Sequence, residues 1–404
     1  MQPLDTHDRL SPLNGIRVLD LTEARGLYAG KFLADLGADV IKIEPPQGSA
    51  ARSIGPFKND KPSLESSLYF INFNTNKRGI TLNLESSGGK QVFLKLVPRA
   101  DVLIEDSSVG HMQRLGLDYP VLAGVNPRLI MAALTGFGQS GPYSHYRAPD
   151  IVSHAMGGLM FISGAAAEPP VVAPCEQAYH ASSLISVFGI ITALFMRLTS
   201  GKGQFIDIAA HDMMSTFGEG VMRYCVNTEI GGRTGSQFMA APGRIYPCKD
   251  GYVHYMIVYP HHWTAILEMM GNPEALSDKV WFDSNFRLKN LDVIDPFVNE
   301  FSLSRTKDEI TTMCQSRGIP CTPVNTPEDV ARDPHMAERG FVTELEHRAI
   351  GKYRYLSPPY RLSETPGSLR RPAPLLGEHN RQFYSDELGL SDQEIDTLKR
   401  EGTI

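Results

Sequence analysis

The chain lacks most of the features that would mark a secreted, nucleic-acid-binding or membrane protein. It has five cysteines, none in a C-x-x-C pair, and its net charge is −6 without a run of lysine and arginine. An odd, scattered set of cysteines favours free thiols in a reducing compartment, so we expect a cytoplasmic protein. A mildly acidic chain offers no broad basic surface, so no nucleic-acid partner is expected.

Long apolar runs are scarce as well. The longest, residues 184–198, is interrupted by Ser186, Thr192 and Arg197 and is about one turn too short for a membrane span. It predicts a core helix, so we expect no membrane contact. Residues 1–13 contain no basic segment followed by an apolar one, so no secretory signal is expected.

The common ligand motifs are also missing. After the first predicted strand, residues 23–30 form neither a G-x-G-x-x-G nor a P-loop pattern, and no G-x-S-x-G or H-E-x-x-H pattern occurs in the chain. Nicotinamide, flavin and ATP chemistry therefore lack their usual sequence support, and no metal is expected.

What the sequence does contain is a regular alternation of strand and helix in its N-terminal half. Serial β-α-β units of this kind predict an α/β fold, a doubly wound parallel sheet with helices on both faces. The predicted strands are Ile16–Thr22, Asp39–Glu44, Gly79–Leu84, Asp101–Glu105 and Leu129–Ala133.

The pattern changes from about residue 221. Gly251–Val258 reads as a strand and Trp263–Met270 as a helix, which indicates a smaller α+β domain over 221–330. Residues 1–220 and 331–404 then form the first and returning parts of the large domain. Near the C-terminus, Ser391 and Glu394 have the spacing of a capping box before the last helix.

Four cations are candidates for contacts with phosphate. Lys77 and Arg78 end the asparagine-rich segment 72–78, just before a strand. This segment can hold a phosphate or simply form a solvated loop. Arg114 and Arg147 follow predicted strands and would lie near their carboxyl ends, where open α/β sheets bind ligands. A lone arginine is, however, more often the partner in a surface ion pair.

Carboxylates and histidines around the long helix allow several roles. Glu176 lies in an apolar loop, where a buried carboxylate can act as nucleophile or base, or cap a helix. His154 and His180 are expected to be structural, and Asp150 to sit at a helix start. Cys175 is expected to be a small packed residue rather than a nucleophile.

Several motifs, in order along nearly the whole chain, resemble the class III CoA-transferases of the formyl-CoA and carnitine CoA-transferase type. The resemblance implies a Rossmann-like large domain built from both chain ends, a smaller domain, and two chains interlinked as a dimer. The segments that carry it are 12–22 (PLNGIRVLDLT), 36–44 (LGADVIKIE), 74–78 (NTNKR), 100–102 (ADV), 114–116 (RLG), 201–204 (GKGQ), 318–324 (GIPCTPV) and 374–379 (PLLGEH).

The resemblance also implies a reaction. In this family an aspartate attacks the donor thioester, and a mixed anhydride and then an aspartyl-CoA thioester follow. Counted back from Gly201 and Gly189, the aspartate position falls at Tyr179. A phenol has no carbonyl carbon that could carry CoA, so no catalytic residue is expected on this chain. Glu176, one helical turn earlier, is the fallback nucleophile.

Coenzyme A, as a CoA thioester co-substrate, is the ligand that the resemblance implies. Lys77, Arg78, Arg114 and Arg147 match positions that suit CoA phosphates in the family.

Four places depart from the family pattern. Pro45 replaces a frequent cation, and Glu23 and Arg25 stand where some members have histidine and glutamine. The glycine-rich lid of formyl-CoA transferases is missing from 237–243 (QFMAAPG).

Three functions follow as hypotheses. The preferred one is the aspartate-lacking subunit of a heteromeric CoA-transferase, as in succinyl-CoA:benzylsuccinate CoA-transferase. Its partner would be a homologous subunit with the catalytic aspartate, and the complex would move CoA between small carboxylic acids. The alternatives are a homodimeric enzyme that uses Glu176 and a CoA-binding or scaffold protein without catalysis.

Overall fold

The computed structural model describes residues 11–217, 220–233, 235 and 241–404. They form two compact units. The first unit comprises residues up to 159, 172–221 and 334–404, so both chain ends lie in it, and the second comprises 160–171 and 222–333. One segment differs from the expected division: residues 160–171, assigned from sequence to the large domain, belong to the second unit.

A six-stranded parallel sheet forms the centre of the first unit, in the order β3-β2-β1-β4-β5-β6. The strand order reverses between β1 and β4, which pair through Leu19 and Leu103. Open α/β sheets bind ligands at the carboxyl side of such a reversal. The strands are β1 Arg17–Asp20, β2 Asp39–Glu44, β3 Arg78–Thr81, β4 Val102–Glu105, β5 Ile130–Thr135 and β6 Phe205–Ala209.

Both faces of this sheet are covered, as the runs of apolar residues in its strands predict. Neighbouring residues of β1 point to opposite faces, with Val18 in one apolar cluster and Leu19 in the other. The helices of this part of the chain are α1 Leu27–Asp35, α2 Leu68–Phe73, α3 Ser87–Leu96, α4 His111–Leu115, α5 Tyr119–Val125, α6 Asp150–Met156, α7 Gln177–Ser200 and α8 Ala210–Thr216.

Helix α7 is longer than the apolar run that predicted it. It spans 24 residues and has a mean hydropathy of 1.8 over its most apolar stretch, so by length and composition alone it could cross a membrane. The expectation that this segment is too short is corrected, because the helix starts seven residues before Leu184. It packs on the sheet through Val187, Ile190 and Leu194, as a core helix does.

Helix α6 begins at Asp150, as predicted, and ends at Met156, before the apolar residues up to Phe161. Gly157 caps it, and Gly158 follows with φ of 83°, a left-handed conformation that stops an α-helix at low cost.

The second unit has its own core around Trp263 and Tyr255. Its antiparallel sheet has the order β7-β8-β9, with β7 Ile245–Cys248, β8 Gly251–Tyr255 and β9 Cys321–Pro323. The predicted strand and helix of this region correspond to β8 and α10. The helices from residue 220 onward are α9 Gly220–Asn227, α10 Pro260–Met269, α11 Ser284–Lys289, α12 Leu291–Leu303, α13 Lys307–Gln315 and α14 Pro327–Ala331.

The returning segment completes the first unit. It contains α15 Pro334–Glu338, a hairpin of β10 Val342–His347 and β11 Gly351–Leu356, a π-helical turn Gln382–Glu387 and α16 Asp392–Arg400. Phe383, Tyr384 and Ile395 pack against the face of the sheet that contains Leu19. The predicted capping box is present, since the Ser391 hydroxyl accepts from the Glu394 N–H.

Candidate functional site

A cavity of about 460 Å³ opens at the amino end of the sheet, and one of about 420 Å³ opens at the carboxyl end. The second lies where the strand order reverses, against the loops that follow β1, β4 and β5. This is the position expected for the main ligand site of a doubly wound sheet. Its walls include Arg25, Asp106, Thr135, Arg147 and Tyr179.

Tyr179 lies in the first turn of α7 and forms part of the cavity wall. Its backbone N–H donates to Asp150 Oδ1 over 3.1 Å, which ties the start of α7 to the start of α6. Burial raises the pKa of the Tyr179 phenol above its usual 10. The hydroxyl therefore stays protonated at neutral pH, and it cannot act as the nucleophile that the family reaction requires.

Arg25 holds the loop after β1 in place beneath Tyr179. Its guanidinium carbon lies 5.2 Å from the centre of the Tyr179 ring, a cation–π contact. The Nη atoms donate to the carbonyls of Leu134 (3.2 Å), Ala148 (3.1 Å) and Asp106 (3.3 Å). Arg25, a departure from the family pattern, is thus a fixed part of the wall that links three loops.

Among the described residues that line this cavity, Asp106 is the one with a carboxylate side chain. It was not among the candidate residues predicted from the sequence. Its Oδ1 accepts from the Glu23 N–H at 2.7 Å, and its Oδ2 from the Gly26 N–H at 3.0 Å. Burial raises its pKa above the usual value. Because both oxygens bind the β1–α1 loop, Asp106 shapes the site and is poorly suited to attack a thioester. Its position directly after a buried strand was the signal that could have identified it.

Glu176 precedes α7 with φ of 48°, but it is not among the residues that line the cavity. Its Oε2 accepts a hydrogen bond of 2.6 Å from the Tyr69 hydroxyl. Burial, together with this bond, raises the pKa of Tyr69, so the phenol keeps donating. A carboxylate held in this way is a weaker nucleophile, so the geometry speaks against the fallback role of Glu176.

Two of the four predicted cations lie on the carboxyl side of the sheet. Arg147 is exposed and lines the cavity. Arg114, in the last turn of α4, is also exposed, and its Nη2 is 3.2 Å from His111 Nδ1. Both can reach a phosphate in solution without breaking an ion pair, and their role in CoA binding stays a prediction.

Lys77 and Arg78 precede and begin β3, but their charged groups lie at different ends of the sheet: the Lys77 ammonium lies beside Asp20 at the carboxyl end of β1, and the Arg78 guanidinium beside Asp39 at the amino end of β2. The Lys77 ammonium is fully buried and donates to Asp20 Oδ2 (2.8 Å), Leu27 O (2.9 Å) and Asn74 Oδ1 (3.0 Å). Its three protons are used, so the structure does not bring it to a phosphate. Gly30 permits this packing, since a Cβ there would lie 2.8 Å from Lys77 Nζ.

Arg78 is paired as well. Its Nη2 is 2.7 Å from Asp39 Oδ2, and its Nη1 contacts Glu387 Oε1. Both cations thus bind groups of the chain itself, and the expectation that they meet CoA phosphates beside Arg114 and Arg147 stays a prediction.

The remaining candidates have structural surroundings. His154 is buried in α6 with its Nε2 3.8 Å from Asp150 Oδ2, and the His180 ring packs 5.3 Å from Tyr28. Cys175 is exposed rather than packed, a correction to the sequence expectation. Residues 237–243, where the glycine-rich lid is expected to be missing, fall largely outside the described residues. Within the part of the chain that the structure describes, no three His, Cys, Asp or Glu side chains form a metal-binding group.

The six-stranded sheet and a ligand cavity at its point of strand reversal define an α/β protein with the architecture of a cofactor-handling enzyme. Comparison with known proteins identifies the class. Residues 13–380 match the model of CoA-transferase family III, and the chain belongs to this family. Family members use CoA thioesters as co-substrates, which confirms the expected cofactor.

Curated relatives match along almost their whole length. Formyl-CoA:oxalate CoA-transferase of Streptomyces avermitilis is 34% identical over 97% of this chain and 99% of its own. Succinyl-CoA:(R)-benzylsuccinate CoA-transferase subunit BbsE of Thauera aromatica is 32% identical over 96% and 97%. The beta subunit of succinyl-CoA–L-malate CoA-transferase of Chloroflexus aurantiacus is 31% identical over 97% and 98%.

Solved structures show the same fold. A CaiB/BaiF family protein from Brucella suis superposes with a TM-score of 0.86 at 31% identity, over 93% of this chain and 99% of the other. A hypothetical protein from Mycobacterium tuberculosis gives a TM-score of 0.78 at 28% identity, over 92% and 99%. The predicted α/β fold class is confirmed.

Proposed function

We propose that this chain is the subunit of a heteromeric class III CoA-transferase that does not carry the nucleophile. The observation that carries the proposal is Tyr179, which occupies the cavity wall at the first turn of α7, where the family resemblance places the aspartate. Of the nearby carboxylates, Asp106 binds the β1–α1 loop with both oxygens, and Glu176 points to Tyr69. The catalytic aspartate would then come from a homologous partner subunit.

In such a complex the partner performs the covalent steps. Its aspartate oxygen attacks the thioester carbonyl of the donor and expels CoA thiolate, which leaves a mixed anhydride. The thiolate then attacks the aspartyl carbonyl, and the donor leaves as a carboxylate. Reversal of these steps with a second small carboxylic acid completes the exchange. This chain would support the partner's fold and supply the CoA-facing cations Arg114 and Arg147.

An apolar stripe on α7 supports a partner subunit. Five side chains at alternating spacings of four and three residues are exposed: Leu184 (46%), Phe188 (68%), Ile191 (40%), Phe195 (74%) and Leu198 (79%). This spacing is that of a helix seam that packs on another helix. A stripe of this size is uncommon on a monomer. It fits the interlinked dimer that the family resemblance implies.

Two relatives are themselves described as subunits, the Thauera aromatica BbsE subunit and the Chloroflexus aurantiacus beta subunit. The formyl-CoA:oxalate CoA-transferases carry no such designation in their names. The proposal of a subunit role therefore rests on Tyr179 and not on the sequence identity to any one relative. The described cysteines are free thiols, which fits a cytoplasmic location for the complex.

The test compares the purified chain with the native complex isolated through it. We expect no CoA exchange by the chain alone, and exchange by the complex between succinyl-CoA, or other acyl-CoA donors, and a panel of small carboxylates. Replacement of the partner's aspartate by asparagine should abolish exchange, whereas Tyr179→Phe and Glu176→Gln should retain most of it. Turnover by the isolated chain that Glu176→Gln stops would overturn the proposal in favour of a homodimer.

The apolar stripe gives an independent test. Phe195→Glu places a charge in the stripe and should release the subunit, which mass measurement in solution would detect. Val121→Glu on α5, where Val121 is 43% exposed outside the stripe, is the matched control and should leave the mass unchanged. An unchanged mass for Phe195→Glu would remove the stripe from the interface.

A further inference from the structure

The cavity at the amino end of the sheet has a charge pattern that the transferase reaction does not use. Its volume is about 460 Å³, within the usual range of small-molecule sites. It is lined by residues that precede β1, β2 and β3 and by the returning segment near Arg371. It therefore lies a full strand length, about 13–20 Å, from the cavity that contains Tyr179.

Two acidic residues of this cavity are already neutralised. Arg17 contacts Asp39 and Glu387, each at 3.0 Å, and Arg78 contacts the same two carboxylates. Two cations and two anions balance within this group of four. Arg371 adds a further positive charge to the cavity wall, whereas the Arg370 guanidinium donates to Ala34 O at 3.0 Å.

Arg371 contributes a charge that no direct contact holds. Among the described residues its guanidinium has no hydrogen-bond or ion-pair partner, and the residue is exposed to solvent. Burial of part of the side chain, with repulsion from Arg78 and Arg370 that Asp39 and Glu378 offset only in part, lowers the pKa of Arg371 below its usual value. A bound anion would relieve this repulsion, because it adds the missing negative charge between the arginines.

The backbone that carries these arginines is held in place. Asn76 Oδ1 accepts from the N–H groups of Arg370 (2.7 Å) and Arg371 (3.0 Å), and the Asn76 N–H donates to Arg371 O (2.9 Å). The buried Asn76 side chain also donates to Asp35 Oδ1 at 2.6 Å. Because the backbone is fixed, only the side chains of these arginines lose entropy on binding an anion, and their forked guanidinium geometry matches phosphate oxygens.

We infer that this cavity, lined by Asn76, Arg78, Arg370 and Arg371, is a binding site for a phosphoryl or diphosphoryl group of a soluble ligand, separate from the CoA cavity. The paired Asp39 and Glu387 in its wall disfavour large polyanions and favour a compact group that reaches Arg371. The site does not depend on the proposed subunit role, because it is built within one unit of this chain.

Titration of the full-length chain with inorganic pyrophosphate at low ionic strength, followed by calorimetry, tests the inference. We expect saturable binding that Arg371→Gln weakens by about tenfold or more, as the loss of one charge-assisted contact predicts. Arg381→Gln, an exposed arginine of the same returning segment that pairs only loosely with Asp392 at 3.5 Å, is the matched control and should bind as the unmodified chain does.

A second arm separates this site from the CoA cavity. Arg147→Gln should leave pyrophosphate affinity unchanged, and saturating CoA should not displace pyrophosphate. Loss of binding in Arg147→Gln, equal binding by Arg371→Gln, or no binding by the unmodified chain at millimolar pyrophosphate would each overturn the inference. A fall in oligomeric mass for Arg371→Gln would also overturn it, since Arg371 would then contact another subunit.

Discussion

The two ends of the parallel sheet both carry cations near a cavity, but they use them differently. At the amino end, Arg78 is bound to carboxylates of the chain itself, and the buried Lys77 ammonium is bound in the same way to the last residue of β1, Asp20. At the carboxyl end, Arg114 and Arg147 project into solvent. Cations that the chain has already neutralised hold the fold together, whereas those left unpaired can bind a ligand.

The largest expected effect is that of removing the buried cation Lys77. Lys77→Met leaves the buried Asp20 carboxylate with Lys42, 3.6 Å away, and without its closest cation. Removal of one partner of a buried ion pair costs about 3–5 kcal/mol. Urea unfolding should show this loss in the free energy of unfolding. Lys202→Met, at an exposed turn, is the control, with an expected change within about 0.5 kcal/mol. Equal stabilities would show that Lys77 is not part of the buried network.

Substitutions of the cations at the carboxyl end should change the affinity for CoA instead of the free energy of unfolding. Arg147→Ala and Arg114→Ala should each weaken CoA binding by about 10- to 100-fold, as expected for a lost charge-assisted contact of about 1.5–3 kcal/mol. Calorimetry with CoA measures this directly, on the chain alone or in its complex. Arg78→Gln is the contrasting variant and should leave CoA affinity unchanged. If Arg78→Gln weakens CoA binding as strongly as Arg147→Ala, the division between the two ends is wrong.

A buried carboxyl at the end of β4 gives a pH test. Burial raises the pKa of Glu105 from 4.5 to about 7. Between these values the folded chain keeps a proton that the unfolded chain releases, so this group's contribution to stability falls as pH rises through that window. Glu105→Gln removes the effect, and its stability relative to the unmodified chain should rise by as much as about 3 kcal/mol across it. The exposed Glu401→Gln should show no such trend.

Much of the fold could be predicted because its signals are local. The apolar strands and the glycine after α1 give the first β-α-β unit, and β2 has the predicted bounds, Asp39–Glu44. The spacing of Ser391 and Glu394 predicts where the last helix begins. The end of α6 depends on the glycine pair at 157–158, although apolar residues that could continue a helix follow it.

The site was harder to predict, since it depends on contacts between distant segments. Arg25 and Tyr179 are in contact although they lie 154 positions apart in the sequence. The residues around each of them contain no pattern that predicts this contact. The prediction for Lys77 and Arg78 illustrates the difficulty. Arg78 begins a strand and therefore lies at the amino end of the sheet, while ligands bind at the carboxyl end. Only the contacts of Lys77 show that its charge is used internally.

The smallest expected effect concerns the ring of Tyr179. If this residue serves as a wall for Arg25 and has no chemical role, its ring matters and its hydroxyl does not. Tyr179→Phe keeps the cation–π contact and should change CoA affinity and the activity of the complex by less than about twofold. Tyr179→Leu loses that contact, worth about 0.5–1 kcal/mol at a partly exposed site, and should loosen the β1–α1 loop and weaken CoA binding by a few-fold. Calorimetry and exchange assays on the two variants separate these roles. A loss of activity in Tyr179→Phe as large as in Tyr179→Leu would show that the hydroxyl takes part in the reaction, and the carboxyl end would then be a catalytic centre of this chain.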